Sequence, residues 1–216
     1  MRTLPIAVLI SGSGTNLQAL IDCCADPEFH AEIKIVISNN PDVKGLERAK
    51  AAGIPTKVIN HRDYDSREDF EGALQAELEA AGVDLVCLAG FMRILTANFV
   101  NNWRDQMINI HPSLLPSFKG LHTHERAIEE GVRFAGCTVH FVRAEMDAGP
   151  IILQAAVPIA DDDTPDSLAE KVLEYEHKIY PEALRLIAYR KVRVRGHKVF
   201  IDDMKVPESG VINPGV

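Results

Sequence analysis

Asn109 and His111 stand two residues apart in the stretch Met107-Ile-Asn-Ile-His-Pro-Ser-Leu-Leu-Pro116. Ile108 and Ile110 alternate with them, and alternation at period two is the mark of a strand whose successive side chains point to opposite faces. The amide and the imidazole therefore project from one face, and Pro112 closes the strand just beyond them. A neutral N–H donor beside a titratable ring suits a reaction in which negative charge develops on an oxygen. Both groups stabilise that charge, and the ring can also act as an acid. A carboxylate within reach would favour the protonated ring. Asp147, in the turn Glu145-Met-Asp-Ala-Gly-Pro150, is either that partner or an ordinary turn aspartate.

A second stretch is suited to holding an anion. The apolar run Leu4–Ile10 breaks at Ser11-Gly-Ser-Gly-Thr-Asn16, and a periodic helical stretch, Leu17 to Cys24, follows. A strand, a glycine-rich turn and a helix together aim backbone N–H groups and a helix N-terminus at a phosphate. The plainer reading is a strand-to-helix turn capped by Thr15 or Asn16. A dinucleotide is disfavoured. The third fingerprint position is Asn, and Ser38-Asn39-Asn40 after the second strand (Ile33–Ile37) offers no acidic residue for a ribose. Further on, Gly90-Phe-Met-Arg-Ile-Leu95 sets apolar side chains beside one Arg, suiting either a pocket for a flat ring with an acidic tail or a core-covering loop. His122-Thr-His124 is a metal-ligand spacing without a thiolate or carboxylate at metal spacing nearby, so no metal is expected.

The elements between these stretches alternate in type. Val43–Ala52 reads as a helix stopped by Gly53, and Thr56–Ile59 as a strand. Ser66-Arg-Glu-Asp69 reads as a capping box opening a helix to about Ala81, with Arg67 in isolation an exposed helix charge. The heavily apolar Val83–Ala89 is a central parallel strand covered on both faces. Short helices at Thr96–Asn102 and Glu125–Glu130, strands at Gly136–Val142 and Ile151–Val157, and a long helix from Pro165 to about Tyr189 follow, with a kink expected near Pro181. Lys191–Ile201 reads as a small hairpin, and the residues after Asp202 as a loose tail. This is an α/β chain with one main domain over residues 1–190 and a hairpin-and-tail segment over 191–216.

Composition narrows the function. The 216 residues are 46% hydrophobic and 25% charged, which suits one soluble domain with an ample core. The net charge of −8 argues against a nucleic-acid or membrane-surface binder. The four cysteines form no C-x-x-C pair and read as reduced thiols in a cytoplasmic protein. The sequence shows neither a membrane-spanning stretch nor a signal-peptide pattern.

Ile10-Ser-Gly-Ser-Gly-Thr-Asn16, Leu88-Ala-Gly-Phe-Met-Arg93, Asn109-Ile-His-Pro-Ser-Leu-Leu-Pro116, Gly120-Leu-His-Thr-His124 and Asp147-Ala-Gly-Pro150 follow one another at intervals that resemble the folate-dependent phosphoribosylglycinamide formyltransferases, in their stand-alone bacterial form. The resemblance runs to about Pro181. It implies a Rossmann-like, mostly parallel twisted sheet with helices on both faces and antiparallel strands toward the C-terminal part. It also implies formyl transfer from 10-formyltetrahydrofolate to the amine of glycinamide ribonucleotide, by direct amine attack, in purine synthesis. By the same resemblance Asn109, His111 and Asp147 are the catalytic trio. Gly14, Thr15 and Asn16 match the substrate-phosphate loop. Leu173, Glu174, Tyr175 and Glu176 match the segment holding the rest of that substrate, with Glu176 the principal actor. Arg67, Met92, Arg93, Ile94, Leu95 and Asn109 match folate-holding positions, and Arg143, Ala144, Glu145, Met146 and Asp147 match the loop over the pterin. Phe118-Lys119-Gly120 departs from relatives in which Pro commonly precedes the Gly, so Lys119 is open to a substrate or a solvent role.

Other expectations follow from that resemblance. The partners are small molecules, with neither nucleic acid nor membrane, and the protein is a monomer or homodimer. A deformylating hydrolase would carry an amino-terminal regulatory domain, and a methionyl-tRNA formyltransferase a carboxyl-terminal RNA-binding domain and more positive charge. A non-catalytic nucleotide-binding module would not require Asn109, His111 and Asp147 together.

Overall fold

The computed structural model describes residues 2–214; Met1 and the end of the expected tail, Gly215 and Val216, lie outside the described residues. Strand β1 (Leu4–Ile10) is apolar throughout because both its faces are covered. Ile6, Val8 and Ile10 belong to one core cluster, and Ala7 and Leu9 to the other. It lies between β2 (Ala31–Ser38) and β4 (Leu85–Leu88), parallel to both. β3 (Thr56–Val58) and β5 (Met107–His111) extend the parallel set outward. β6 (Phe134–Phe141) and β7 (Ile151–Pro158) add two antiparallel strands, giving the order β3-β2-β1-β4-β5-β6-β7. This mostly parallel sheet with antiparallel C-terminal strands is the one that the family resemblance implies.

Helices α1 (Thr15–Cys24), α2 (Lys44–Ala51) and α6 (Pro165–Ala188) cover the first face through Leu17, Leu20, Leu46, Leu168 and Val172. On the other face lie α3 (Arg67–Ala80) and α4 (Ala97–Asn102), through Phe70, Leu74, Leu78 and Phe99. The seventh strand and α5 (Thr123–Glu129) complete the main unit. A Thr164–Ser167 capping box with Pro165 behind it starts α6, and the helix passes through Pro181 without ending. Beside that proline, the fully buried Tyr180 donates from its hydroxyl to the Leu88 carbonyl at 2.9 Å, pinning the helix to the end of β4.

Strands β8 (Val192–Arg195) and β9 (Lys198–Ile201) form the expected hairpin, and Val192, Val194, Val199 and Ile201 pack on the first core cluster. The tail after it has no regular structure but is tied down near its end. Asn213 Nδ2 donates to the carbonyls of Arg133 (2.6 Å) and Ile159 (2.9 Å), so the tail is less loose than its composition suggests.

Candidate active site

After β1 the chain turns into α1 on one face of the sheet, and after β4 it runs to α4 on the other. Loops that part in this way open a crevice at the carboxyl ends of the strands. Ser11 bridges it: its hydroxyl donates to Asn39 Oδ1 (2.5 Å) and accepts from the Met92 amide (2.8 Å). Asn40 Nδ2 donates to the Ser11 carbonyl at 2.9 Å. The asparagines after β2 therefore hold Ser11, which in turn fastens the glycine loop to the Met92 loop.

The loop needs its glycines. Gly14 has φ +70°, and a Cβ there would lie 2.6 Å from Gly45 Cα in α2. Gly45 in turn donates its N–H to the Gly12 carbonyl at 3.1 Å. Gly14, not Thr15 or Asn16, is the N-cap of α1, and no side chain caps the helix. Its first-turn amides are left without a side-chain partner.

Asn16 instead turns inward, donating Nδ2–H to Glu176 Oε2 at 2.6 Å with both residues buried. Burial pushes the Glu176 carboxyl above its ordinary value, opposed by the Asn16 hydrogen bond. Asn16 Oδ1 is buried without a partner. Of the segment Leu173–Glu176, Glu176 alone is joined to the loop by a hydrogen bond. Leu173 is half-buried, while Glu174 and Tyr175 are exposed, with Lys178 over the Tyr175 ring.

The polar cluster on β5 is built across strands. His111 is buried, and its Nε2 donates to the Phe118 carbonyl at 3.0 Å. Its Nδ1 lies 3.6 Å from Asp147 Oδ2. That carboxylate oxygen also accepts the Gly120 amide at 2.9 Å, which fixes its position. In the antiparallel register Asn109 faces His140, and Asn109 Nδ2 lies 3.3 Å from His140 Nε2. His140 Nδ1 donates to the Phe141 carbonyl at 3.0 Å, so Nε2 is the accepting nitrogen for Asn109. Burial lowers the proton affinity of His140, which keeps this arrangement of donor and acceptor. His140 was missed in the sequence, where a lone histidine in an alternating strand looks like core; its signal is the register with Asn109.

Around this cluster the loops are held from outside. Thr138, opposite His111, donates to the Ser113 carbonyl (2.7 Å) and accepts the Leu115 amide (3.1 Å), ordering the chain beyond β5. Arg143 bonds to Asp105 and to the Val142 carbonyl, and Lys119 pairs with Glu145 at 3.2 Å. Ala144, Glu145 and Met146 are exposed. A Cβ on Gly149 would fall 1.6 Å from the Phe141 carbonyl oxygen, so the 142–150 loop is pressed onto β6. Met92, Arg93 and Ile94 are exposed, while Leu95 packs on the second core cluster. Arg67 is exposed at the first position of α3. Glu71, one turn further and buried, accepts the Thr96 amide at 2.6 Å and the Thr96 hydroxyl, tying α3 to the end of the Met92 loop.

His122 is exposed and pairs with Glu125 at 3.4 Å, while His124 is half-buried with Nδ1 unpartnered. Among the described residues, no three His, Cys, Asp or Glu side chains gather as a metal-holding group. Among the same residues, no helix is long and apolar enough to cross a membrane.

The formyl transferase family model matches residues 4–184. The chain is 43% identical to the phosphoribosylglycinamide formyltransferase of Escherichia coli, over 95% of this chain and 97% of that protein. It is 56% identical to the human trifunctional purine biosynthetic protein adenosine-3 over 88% of its own length, but spans 19% of that much longer protein. Among solved structures, glycinamide ribonucleotide transformylase 1 from Symbiobacterium toebii superposes with a TM-score of 0.91 at 49% identity, covering 93% of this chain and 95% of that one. The phosphoribosylglycinamide formyltransferase of Coxiella burnetii gives 0.89 at 47% identity, covering 93% and 94%.

Proposed function

The chain belongs to the formyl transferase family, and on that premise we propose that it transfers the formyl group of 10-formyltetrahydrofolate to the amine of 5′-phosphoribosylglycinamide, in purine biosynthesis. The observation that carries this reading is the cluster in which Asp147, held by the Gly120 amide, lies 3.6 Å from His111 Nδ1 and 3.9 Å from His140 Nε2, the partner of Asn109. The near-full-length match to the Escherichia coli enzyme supports the choice of substrates.

In this reading the uncharged amine attacks the formyl carbon. A C–N bond forms there, the bond to folate N10 breaks, and the proton lost by the amine ends on N10. Charge accumulates on the formyl oxygen in between. Asn109 Nδ2, which has one N–H committed to His140, keeps a second for that oxygen. His111 has Nε2 committed to Phe118, so its acidic edge is Nδ1. The 3.6 Å to Asp147 is long for a hydrogen bond, so Nδ1 stays open to substrate while the carboxylate lies beside it. A donor of this kind lowers the barrier by about 2.7–4 kcal/mol.

The folate would lie along the exposed Met92, Ile94 and Met146, whose apolar surface fits a flat ring, with Arg67 and Arg93 toward its acidic tail. The first-turn amides of α1 with Gly14, Thr15 and Asn16 would take the substrate phosphate. On this reading the protein is cytoplasmic and its partners are its two small-molecule substrates, whether it works as monomer or homodimer.

The test is formation of formylglycinamide ribonucleotide, followed by mass spectrometry alongside folate absorbance. Product that appears only with all components supports the transferase. Folate turnover indifferent to the amine would show a hydrolase instead.

A further inference from the structure

On the outer side of α1 a groove of about 600 Å³ runs from Thr15 past Gln18 and Asp22, with Arg48 of α2 and His177 and Pro181 of α6 among the residues that line it. None of the stretches that suggested chemistry in the sequence includes Arg48 or His177.

Arg48 is half-buried and makes hydrogen bonds to neutral groups alone: Nε to the Ser13 carbonyl (3.0 Å) and Nη1 to Gln18 Oε1 (3.2 Å). Among the described residues no carboxylate pairs with it within salt-bridge distance. Asp22, the acidic group in the groove, accepts Gln18 Nε2 at 2.8 Å instead. His177 Nε2 is buried and has no hydrogen-bond partner. Two groups able to carry positive charge therefore line one groove, where the carboxylate of Asp22 is engaged by Gln18 and pairs with neither. Burial and the Arg48 charge both discourage protonation of His177, a repulsion that a bound anion would relieve.

The position of Arg48 says which anion. It grips the carbonyl of Ser13, and its Cδ lies 3.6 Å from where a Gly14 side chain would begin. It therefore stands beside the uncapped start of α1, at the edge of the glycine loop. We propose that Arg48 and His177 form the cationic wall of the substrate's phosphate site. There they meet the phosphate oxygens that the α1 amides do not reach, and so select a phosphate dianion over an uncharged 5′-hydroxyl. This deepens the reading of the glycine loop as a phosphate site and rests on it.

The measurement is the phosphate preference of the enzyme: kcat/KM for glycinamide ribonucleotide divided by kcat/KM for the unphosphorylated glycinamide riboside. Charge-assisted hydrogen bonds of about 1.5–3 kcal/mol correspond to roughly ten- to hundredfold, so Arg48→Met and His177→Gln should each lower that ratio by about that factor. Damage to the loop would depress both substrates together and leave the ratio where it was. An unchanged ratio in both variants overturns the proposal. If the wild type transfers no formyl group, the reaction assignment fails separately, and calorimetric titration with ribose 5-phosphate decides instead. Saturable binding by wild type that both variants lose supports the phosphate wall. Equal binding by all three proteins, or binding by none, overturns it.

Discussion

Asn109 on β5 and His140 on β6 face each other across the antiparallel register, with the Asn109 amide nitrogen 3.3 Å from His140 Nε2. The Phe141 carbonyl holds the other ring nitrogen as a donor, so the pair works in one direction: His140 accepts and Asn109 gives. His140 is thereby a positioning residue. In the proposed reaction it fixes which end of the Asn109 amide presents N–H to the formyl oxygen.

Replacing His140 by Phe removes the acceptor and frees the amide to rotate. One net hydrogen bond is worth about 0.5–1.5 kcal/mol, so kcat should fall roughly two- to twelvefold with little change in either KM. His140→Gln, whose carbonyl can accept, should recover part of the loss. Steady-state kinetics of both variants checks this; equal kcat in His140→Phe and wild type would remove the positioning role.

Glu176 makes stability depend on pH. Its carboxyl is raised by burial above the ordinary value of 4.5, so the folded chain holds that proton more tightly than the unfolded one. Its contribution to stability is complete below 4.5 and is lost as pH rises through the raised value. Urea unfolding of wild type and Glu176→Gln across that interval should show the wild type losing stability relative to the variant as pH increases. Parallel curves would mean that the carboxyl titrates normally.

Gly149 has no room for a side chain against the Phe141 carbonyl oxygen. Gly149→Ala must lift the loop that carries Asp147, two residues away. Displacement by about 1 Å near a reaction centre can cost on the order of a hundredfold. We expect kcat to fall by that order while the far-ultraviolet circular dichroism is unchanged. Undiminished turnover would show that Asp147 does not need its present position.

The parts of this site that lie within one element were legible. Period-two alternation put Asn109 and His111 on one face, and the strand–glycine–helix order found the loop at Ser11–Asn16. What depends on register or on tertiary contact was not. His140 matters because β6 pairs with β5 at that offset, and a strand's partner offset leaves no trace in its own residues. Thr15 and Asn16 looked like caps by type, but Gly14 takes the left-handed conformation and Asn16 is drawn to Glu176 across 160 residues. Asn39 and Asn40 drew notice for lacking an acidic group, whereas their side chains hold Ser11 from the loop after β2.

In the proposed reaction the donor role at the reacting centre falls to His111, between Phe118 and Asp147. It is tested most directly by kcat for formyl transfer in His111→Ala, with both substrates saturating and their binding measured on the same protein. Loss of a transition-state donor predicts a fall of about a hundred- to a thousandfold with both ligands still bound. A variant that binds both substrates and turns over within a few-fold of wild type would take that donor role from His111.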